Sequence, residues 1–198
     1  MSCLETVLHR VNLLKWAMVM QKFWWISLVV GLAIVGGHER AIAAPRPSKA
    51  LVNAVKKSIP EAIFRNPDLV DRSEYFVAEV DLNGDGVKEA VVVIATPMCG
   101  VNECSAFVHQ KTDDRYEQIG RLAVQSDNAA IGVLKSKRAG WFDLAAQVYV
   151  RQQVKTVWKR SRFDGSGYEP TYEDIEQPDR IVLRFKRGSG IELNQFGG

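Results

Sequence analysis

The sequence predicts an α+β fold, in which an N-terminal amphipathic helix precedes a mainly antiparallel β-meander sheet. Apolar residues recur at helical spacing between residues 47 and 66, whereas from residue 75 onward short apolar runs are separated by turn residues. The segment that begins at residue 44 is about 150 residues long, which is enough for one hydrophobic core. We therefore expect a single exported domain over residues 44–198.

Residues 1–43 have the order of a secretory signal peptide. Basic residues precede an apolar run over residues 23–37, and Ala41 and Ala43 form an A-x-A-like site that predicts cleavage after Ala43. The apolar run is about 15 residues long, shorter than the roughly 20 that span a bilayer, so no stable membrane anchor is expected. The region before it is long for a bacterial signal, which leaves Met18 or Met20 as an alternative initiator. The protein is predicted to be periplasmic or secreted.

Loss of this leader removes four basic and two acidic residues and lowers the formal charge from +3 to +1. Nucleic-acid binding depends on clustered basic residues that neutralise phosphates, so a nearly neutral domain gives no reason to expect a nucleic-acid partner. One basic cluster is interpreted as a solvated strand or hairpin edge, and it comprises Lys155, Lys159, Arg160 and Arg162.

The predicted helix begins after Ser48, which is placed as an N-cap. Pro60 is expected to end or kink the helix, with one further turn before residues 66–67. The apolar stripe of the helix, which we expect to cover the sheet, consists of Ala50, Leu51, Ala54 and Val55.

Eight later segments have the character of β-strands. The run over residues 90–95 lacks polar alternation, which predicts a central strand buried on both faces. Turn residues at 113–114 and 164–167 predict two hairpins. The predicted strands cover residues 75–80, 90–95, 104–111, 116–119, 129–134, 143–150, 154–160 and 181–185.

Cys99 and Cys104 are the only cysteines that follow the leader. An even pair in an oxidising compartment predicts a disulfide bond. The residues between them include Gly100 and Asn102, which favour a turn that brings the two sulfurs together. A redox pair would be separated by two residues, so we expect a structural bridge. Its short loop predicts a stabilisation below the roughly 3 kcal/mol of a 15-residue loop.

His109 is the only histidine that remains once the leader is removed. One histidine and two cysteines are too few for an ordinary zinc site. A serine or cysteine nucleophile usually needs a histidine base that an acid orients. His109 lies in an alternating run where Phe107 shares its face and Val108 takes the other. We interpret it as an ordinary strand histidine.

Residues 81–89, with the sequence DLNGDGVKE, place oxygen-bearing side chains two residues apart around glycines. Calcium takes six to eight oxygen ligands, often from alternating positions of a loop that turns at a glycine. An EF-hand is excluded because its twelfth position is Val92 and both flanks are β-like. The alternative is a metal-free turn in which Asp and Asn bond to the backbone. The candidate ligands are Asp81, Asn83, Asp85, Glu89 and the carbonyl of Val87.

These nine residues resemble the D-x-[DN]-x-D-G-x-x-[DE] turns of FG-GAP and VCBS-type β-propeller repeats, and of small exported bacterial β domains with a single copy. The resemblance covers one copy, whereas a propeller needs several. It makes the side chains of Asp81, Asn83, Asp85 and Glu89 the candidate ligands of calcium as a cofactor, and neither a calcium site nor a metal-free turn implies catalysis.

Export, near-neutral charge and the lack of an assembled catalytic set predict a non-catalytic domain that binds a protein or a cell-envelope component, with calcium as the candidate stabilising ion. Aromatic side chains would be its contact residues if they are exposed, although two of them, Trp141 and Trp158, are equally suited to the core. The candidates are Trp141, Trp158, Tyr168 and Tyr172.

Two alternatives remain open at this point. An envelope hydrolase would use paired carboxylates or a calcium-bound water, although an acidic run after a hairpin is more typical of a solvated loop. A membrane-tethered accessory protein would require the leader to stay attached. The acidic run of the hydrolase hypothesis comprises Glu169, Glu173, Asp174 and Glu176.

Overall fold

The computed structural model describes residues 47–100 and 103–193. The predicted signal peptide and its cleavage site lie outside the described residues, as does Asn102. The described residues belong to one compact unit. Within these two ranges no helix is both long and apolar enough to cross a bilayer.

Between residue 47 and the first strand, the described chain forms three short helices: α1 (Lys49–Ser58), α2 (Glu61–Phe64) and α3 (Pro67–Asp71). The predicted N-cap is confirmed, since the Ser48 side chain accepts the Leu51 N–H at 3.2 Å. Pro60 separates α1 from α2 because it has no N–H to continue the helical ladder. The end of α1 at Pro60 and the short α2 match the predicted break and further turn, whereas α3 extends the helical region beyond residue 66 and was not predicted.

Ten strands form one curled sheet, so the fold is mostly β and less helical than an α+β class implies. The strands are β1 (Glu74–Val80), β2 (Glu89–Ala95), β3 (Glu103–Thr112), β4 (Arg115–Gln125), β5 (Ala129–Arg138), β6 (Trp141–Val150), β7 (Lys155–Phe163), β8 (Tyr168–Ile175), β9 (Arg180–Phe185) and β10 (Ile191–Glu192).

The strand order corrects the predicted meander. Strands β1 to β4 are consecutive antiparallel neighbours, but the neighbour of β4 is β8, and the full order is β10-β1-β2-β3-β4-β8-β7-β6-β5-β9. The β4–β8 pair is parallel and meets at Gly120 and Tyr168. A Cβ at Gly120 would lie 2.6 Å from the Cβ of Tyr168, so this close approach requires glycine. The sheet is mixed because this parallel pair joins two antiparallel groups of strands, β10-β1-β2-β3-β4 and β8-β7-β6-β5-β9.

Apolar clusters lie on both faces of the sheet. One cluster is enclosed by the curled sheet and draws residues from β1 through β9, among them Val91, Leu122 and Leu144. The other lies beneath α1 and α2, where Leu51 and Val55 pack on the outer face of β1 to β3. Strand β2 is buried along its whole length, which confirms the prediction of a central strand over residues 90–95.

Candidate functional site

The Asp81 loop, residues 81–88, connects β1 to β2 and bonds to its own backbone. Asp81 Oδ1 accepts the Gly84 N–H at 2.6 Å, and Oδ2 accepts the Gly86 N–H at 3.0 Å. Asn83 Oδ1 and Asp85 Oδ1 accept N–H groups two residues further on, at 2.9 and 2.7 Å. The Gly84 bond chiefly holds the pKa of Asp81 below its ordinary value. These are the Asx-turn bonds that the metal-free alternative predicts.

Glu89, the first residue of β2, is the feature that a turn alone does not explain. Its side chain is fully buried. Oε2 accepts the Leu82 N–H at 2.8 Å, whereas Oε1 has no hydrogen-bond partner among the described residues. Burial raises the pKa of Glu89, and the charges of Asp85 and Asp81 raise it further. A buried carboxylate oxygen without a partner is costly and calls for a cation, a proton or a water molecule.

Leu82 attaches this loop to the enclosed core. Its side chain is fully buried in that cluster, and its carbonyl accepts the N–H of Phe142 on β6 at 2.8 Å. The hydroxyl of Tyr168 donates to the Phe142 carbonyl at 2.7 Å. Lys137 Nζ lies 3.9 Å from the centre of the Phe142 ring, and 3.4 Å from the position of a Cβ at Gly84. The loop is thus bonded to β6 and has a lysine beside it.

The predicted ligands lie together in one loop but do not form a closed cage. Within the described ranges, no three Asp, Glu, His or Cys side chains are arranged to hold a metal ion. The loop amides occupy both oxygens of Asp81, and the Asn83 side-chain amide donates to Asp85 Oδ2 at 2.8 Å. All of the candidate ligand atoms are oxygens, which suits calcium, and Glu89 Oε1 is a ligand oxygen without a hydrogen-bond partner among the described residues. The residues therefore fit calcium in their chemistry.

Cys99 and Cys104 form the predicted disulfide between β2 and β3, with their Cα atoms 4.6 Å apart. They line one end of a cavity of about 570 Å³ between the α1–α2 segment and the outer face of β2 to β4. We call it the helix-side cavity. A second cavity of about 470 Å³ lies further along α1, and Ser58 lines both.

His109 has a partner that sequence reasoning missed. It is fully buried on β3, and its Nε2 lies 3.0 Å from the hydroxyl of Ser58 at the end of α1. Ser58 donates in turn to the Ala54 carbonyl at 3.3 Å. Burial lowers the pKa of His109 to about 4. Nδ1 is unbonded among the described residues, so no acid there orients the ring as a catalytic triad requires.

The pair of His109 and Ser58 therefore supports the structural interpretation of this histidine. The predicted face is also confirmed, because the rings of Phe107 and His109 lie 6.4 Å apart while Val108 belongs to the enclosed cluster. Ser58 and His109 are 51 positions apart, and no short-range pattern signals such a contact.

The basic cluster and the acidic run pair with each other across β7 and β8. Lys159 forms an ion pair with Asp174. Arg160 and Arg162 both bind Glu173, at 3.2 and 2.9 Å. The cluster lies on a strand of the β7–β8 hairpin, as one of the two expected positions requires, but β7 is an interior strand and its hairpin partner pairs with these charges. Glu173 and Asp174 face cations and do not form the facing carboxyl pair of the hydrolase hypothesis.

The expected aromatic contact surface is not formed. Trp141 is buried and stacks on Phe163 with ring centres 4.6 Å apart, and Tyr168 is 2% exposed. Trp158 is half-buried. Tyr172 alone of the four is well exposed, at 78%. Trp141 therefore takes the core position that was its alternative, and Tyr168 is excluded as a contact residue, because both fill the enclosed core.

Comparison with protein-family models, curated proteins and solved structures finds no match to this chain. The resemblance to FG-GAP and VCBS turns accordingly stays a likeness of one loop.

Proposed function

We propose that the chain is an exported, non-catalytic domain that binds a protein or a cell-envelope component and whose Asp81 loop is stabilised by calcium. The observation that carries the calcium assignment is the buried, unpartnered Oε1 of Glu89. Asp81 and Asp85 add negative charge close to this carboxylate. A divalent cation would offset both the repulsion among these groups and the desolvation of Glu89.

Calcium, when bound, supplies a compact divalent charge that organises several oxygen ligands. The side chains of Asp81, Asn83, Asp85 and Glu89 would hold it, together with the Val87 carbonyl. Leu82 bonds through its N–H to Glu89 and through its carbonyl to β6. Stabilisation of the loop is therefore expected to stabilise its attachment to β6.

Two further observations support the remaining parts of the proposal. A disulfide is typical of oxidising compartments, which agrees with the export that the leader predicts. Two of the four acids of the hydrolase hypothesis, Glu173 and Asp174, are ion-paired, and a histidine with a pKa of about 4 is a weak base at neutral pH. The ion-paired acids and the weakly basic histidine both favour a binding function over catalysis.

Calorimetric calcium titration of the chain that begins at Ala44 tests the metal site. The matched variants are Asp81→Ala with Asp85→Ala, and Asp164→Ala in a turn elsewhere. We expect saturable binding by the wild type and by Asp164→Ala, and none by the double variant. Failure of the folded wild type to bind calcium would leave the loop as a turn.

Mass spectrometry of the exported protein tests the compartment. Cleavage after Ala43 predicts a mass that begins at Ala44. A recovered chain that retains residues 23–37 would contradict cleavage and favour the tethered alternative.

A further inference from the structure

The helix-side cavity combines an apolar floor with a cationic wall. Ile59, Ile63, Ile94 and Phe107 line it and are almost completely buried. Its volume of about 570 Å³ is within the range of small-molecule sites, which is about 300–1,000 Å³. The exposed Met98, at 63%, adds an adaptable apolar group to the lining.

Arg121 of β4 supplies the charge of this wall. It lies opposite Phe107 of β3, with the guanidinium carbon 6.0 Å from the ring centre. Nε and Nη2 both donate to the Ser105 hydroxyl, at 3.1 and 2.8 Å. No carboxylate of the described chain lies within ion-pair distance of this guanidinium, unlike those of Arg160 and Arg162. An ordered guanidinium without an acidic partner suits a carboxylate ligand.

Glu103 is the one carboxylate among the described lining residues. It pairs with Gln125 in the sheet register, whereas Arg121 pairs with Phe107 further along the same strands. Negative charge at the Glu103 end and positive charge at the Arg121 end would orient an anionic head group toward Arg121.

We propose that the helix-side cavity binds a free fatty acid, with its chain on Ile59, Ile94 and Phe107 and its carboxylate on Arg121. An extended peptide would need a free strand edge, and β3, whose residues line the cavity, is paired on both sides by β2 and β4. The inference rests on the proposed binding function, for which it names a cell-envelope ligand, and does not depend on the calcium part.

Calorimetric titration of the exported protein with decanoate, below the concentration at which it forms micelles, tests the proposal. Arg121→Gln should weaken binding about threefold or more, as expected for loss of an ion pair at an exposed guanidinium. Arg115→Gln, in the second cavity, is the matched charge control and should change affinity less than twofold. Decanol should bind more weakly than decanoate.

Ala123→Phe adds a test that leaves Arg121 in place. Ala123 is an exposed residue of β4 that lines the cavity, so a larger side chain there should block decanoate without disturbing the core. Urea unfolding establishes that each variant is folded. Equal affinity of the wild type and Arg121→Gln, decanol binding as tight as decanoate binding, or no saturable binding by the folded wild type would overturn the proposal.

A repeat of the titration with excess chelator separates this proposal from the calcium site. Unchanged decanoate affinity is expected, since the cavity and the Asp81 loop have no described lining residue in common. Loss of decanoate binding in chelator would contradict the expectation that the cavity binds its ligand independently of calcium. Decanoate binding without any calcium binding would overturn only the calcium part of the proposed function.

Discussion

Two acidic turns of this protein use the same hydrogen-bond chemistry but differ in what they are attached to. In the turn between β7 and β8, Asp164 Oδ1 accepts the N–H groups of Ser166 and Gly167 at 2.7 and 2.9 Å, and the Ser166 hydroxyl at 2.8 Å. In the Asp81 loop, the two oxygens of Asp81 also accept loop amides. These bonds lower the pKa of both aspartates, that of Asp164 to about 2.

The difference lies beyond the turns themselves. The Asp81 loop includes Leu82, which is fully buried, and is bonded to Glu89, which has an unpartnered buried oxygen. Among the described residues, the hydrogen-bond partners of Asp164 all lie within three residues of it, and its neighbours Gly165 and Ser166 are exposed. Asx-turn bonds alone therefore do not distinguish a metal loop from a plain turn, and the proposed calcium site depends on the buried, unpartnered carboxylate of Glu89.

The largest expected difference between the two turns comes from truncating the side chain that anchors the loop. Leu82→Ala should reduce the free energy of unfolding by about 2–5 kcal/mol, because it leaves a cavity in the enclosed core. Ser166→Ala removes one exposed hydroxyl bond and should cost less than about 1 kcal/mol. Urea unfolding of both variants measures the two losses. Equal losses would mean that the Asp81 loop is no better anchored than the other turn.

Calcium should stabilise the protein through one turn only. At a free concentration of about 100 times Kd, binding to the native state alone adds roughly 2.7 kcal/mol to the free energy of unfolding. Thermal unfolding with calcium or with chelator should show this shift in the wild type and in Asp164→Asn. The shift should vanish in Asp81→Asn with Asp85→Asn, and its persistence there would place the ion elsewhere.

Replacing one glycine in each turn gives a smaller and more equal effect. Gly86 and Gly165 have φ of +86° and +113°, and an added Cβ would meet no atom within 4 Å. Alanine at either position should therefore cost about 1–2 kcal/mol from backbone strain alone. Urea unfolding should give similar losses, while calcium titration should be weakened by Gly86→Ala and unchanged by Gly165→Ala. Weaker calcium binding in both would indicate a global effect.

The smallest effects are expected in the dependence of stability on pH, where the two turns should act with opposite sign. The pKa of Asp164 falls from 3.8 to about 2 on folding. Its contribution to the free energy of unfolding is therefore present above pH 3.8 and is lost as pH falls through 2. The pKa of Glu89 is raised above 4.5, so without calcium its contribution is present below pH 4.5 and is lost as pH rises through the folded value.

Urea unfolding across pH 2 to 8 in chelator checks these signs. Asp164→Asn should flatten the loss of stability between pH 4 and 2, and Glu89→Gln should flatten the loss above pH 4.5. A steeper loss above pH 4.5 in Glu89→Gln would contradict the burial argument.

Much of the local structure could be predicted from residues that are close in sequence. Ser48 caps α1 because the hydroxyl and the N–H it accepts are three positions apart. Cys99 and Cys104 pair because a short turn brings them together. Strand β2 is buried on both faces as its unbroken apolar run predicts. In the cap and the disulfide the interacting groups lie within a few residues of each other, and for β2 the apolar run itself is the local signal.

Contacts between segments that are distant in sequence could not be predicted. The parallel pairing of β4 with β8 does not follow from hairpin signals, which specify each turn but not how one hairpin meets another. The partner of His109 is a helix residue 51 positions away. Burial of Trp141 and Tyr168 depends on which strands enclose the core, so composition alone could not separate contact residues from core residues.

By itself the sequence determined the turn chemistry of residues 81–89, the helix cap and the cysteine pair, since each depends on groups a few residues apart. Only the tertiary structure decided that Glu89 is buried without a partner for Oε1, that Leu82 bonds to β6, and that Arg121 faces an apolar cavity. The physical reason is that burial and desolvation depend on which strands and helices pack together, whereas spacing along the chain controls only the nearest hydrogen bonds.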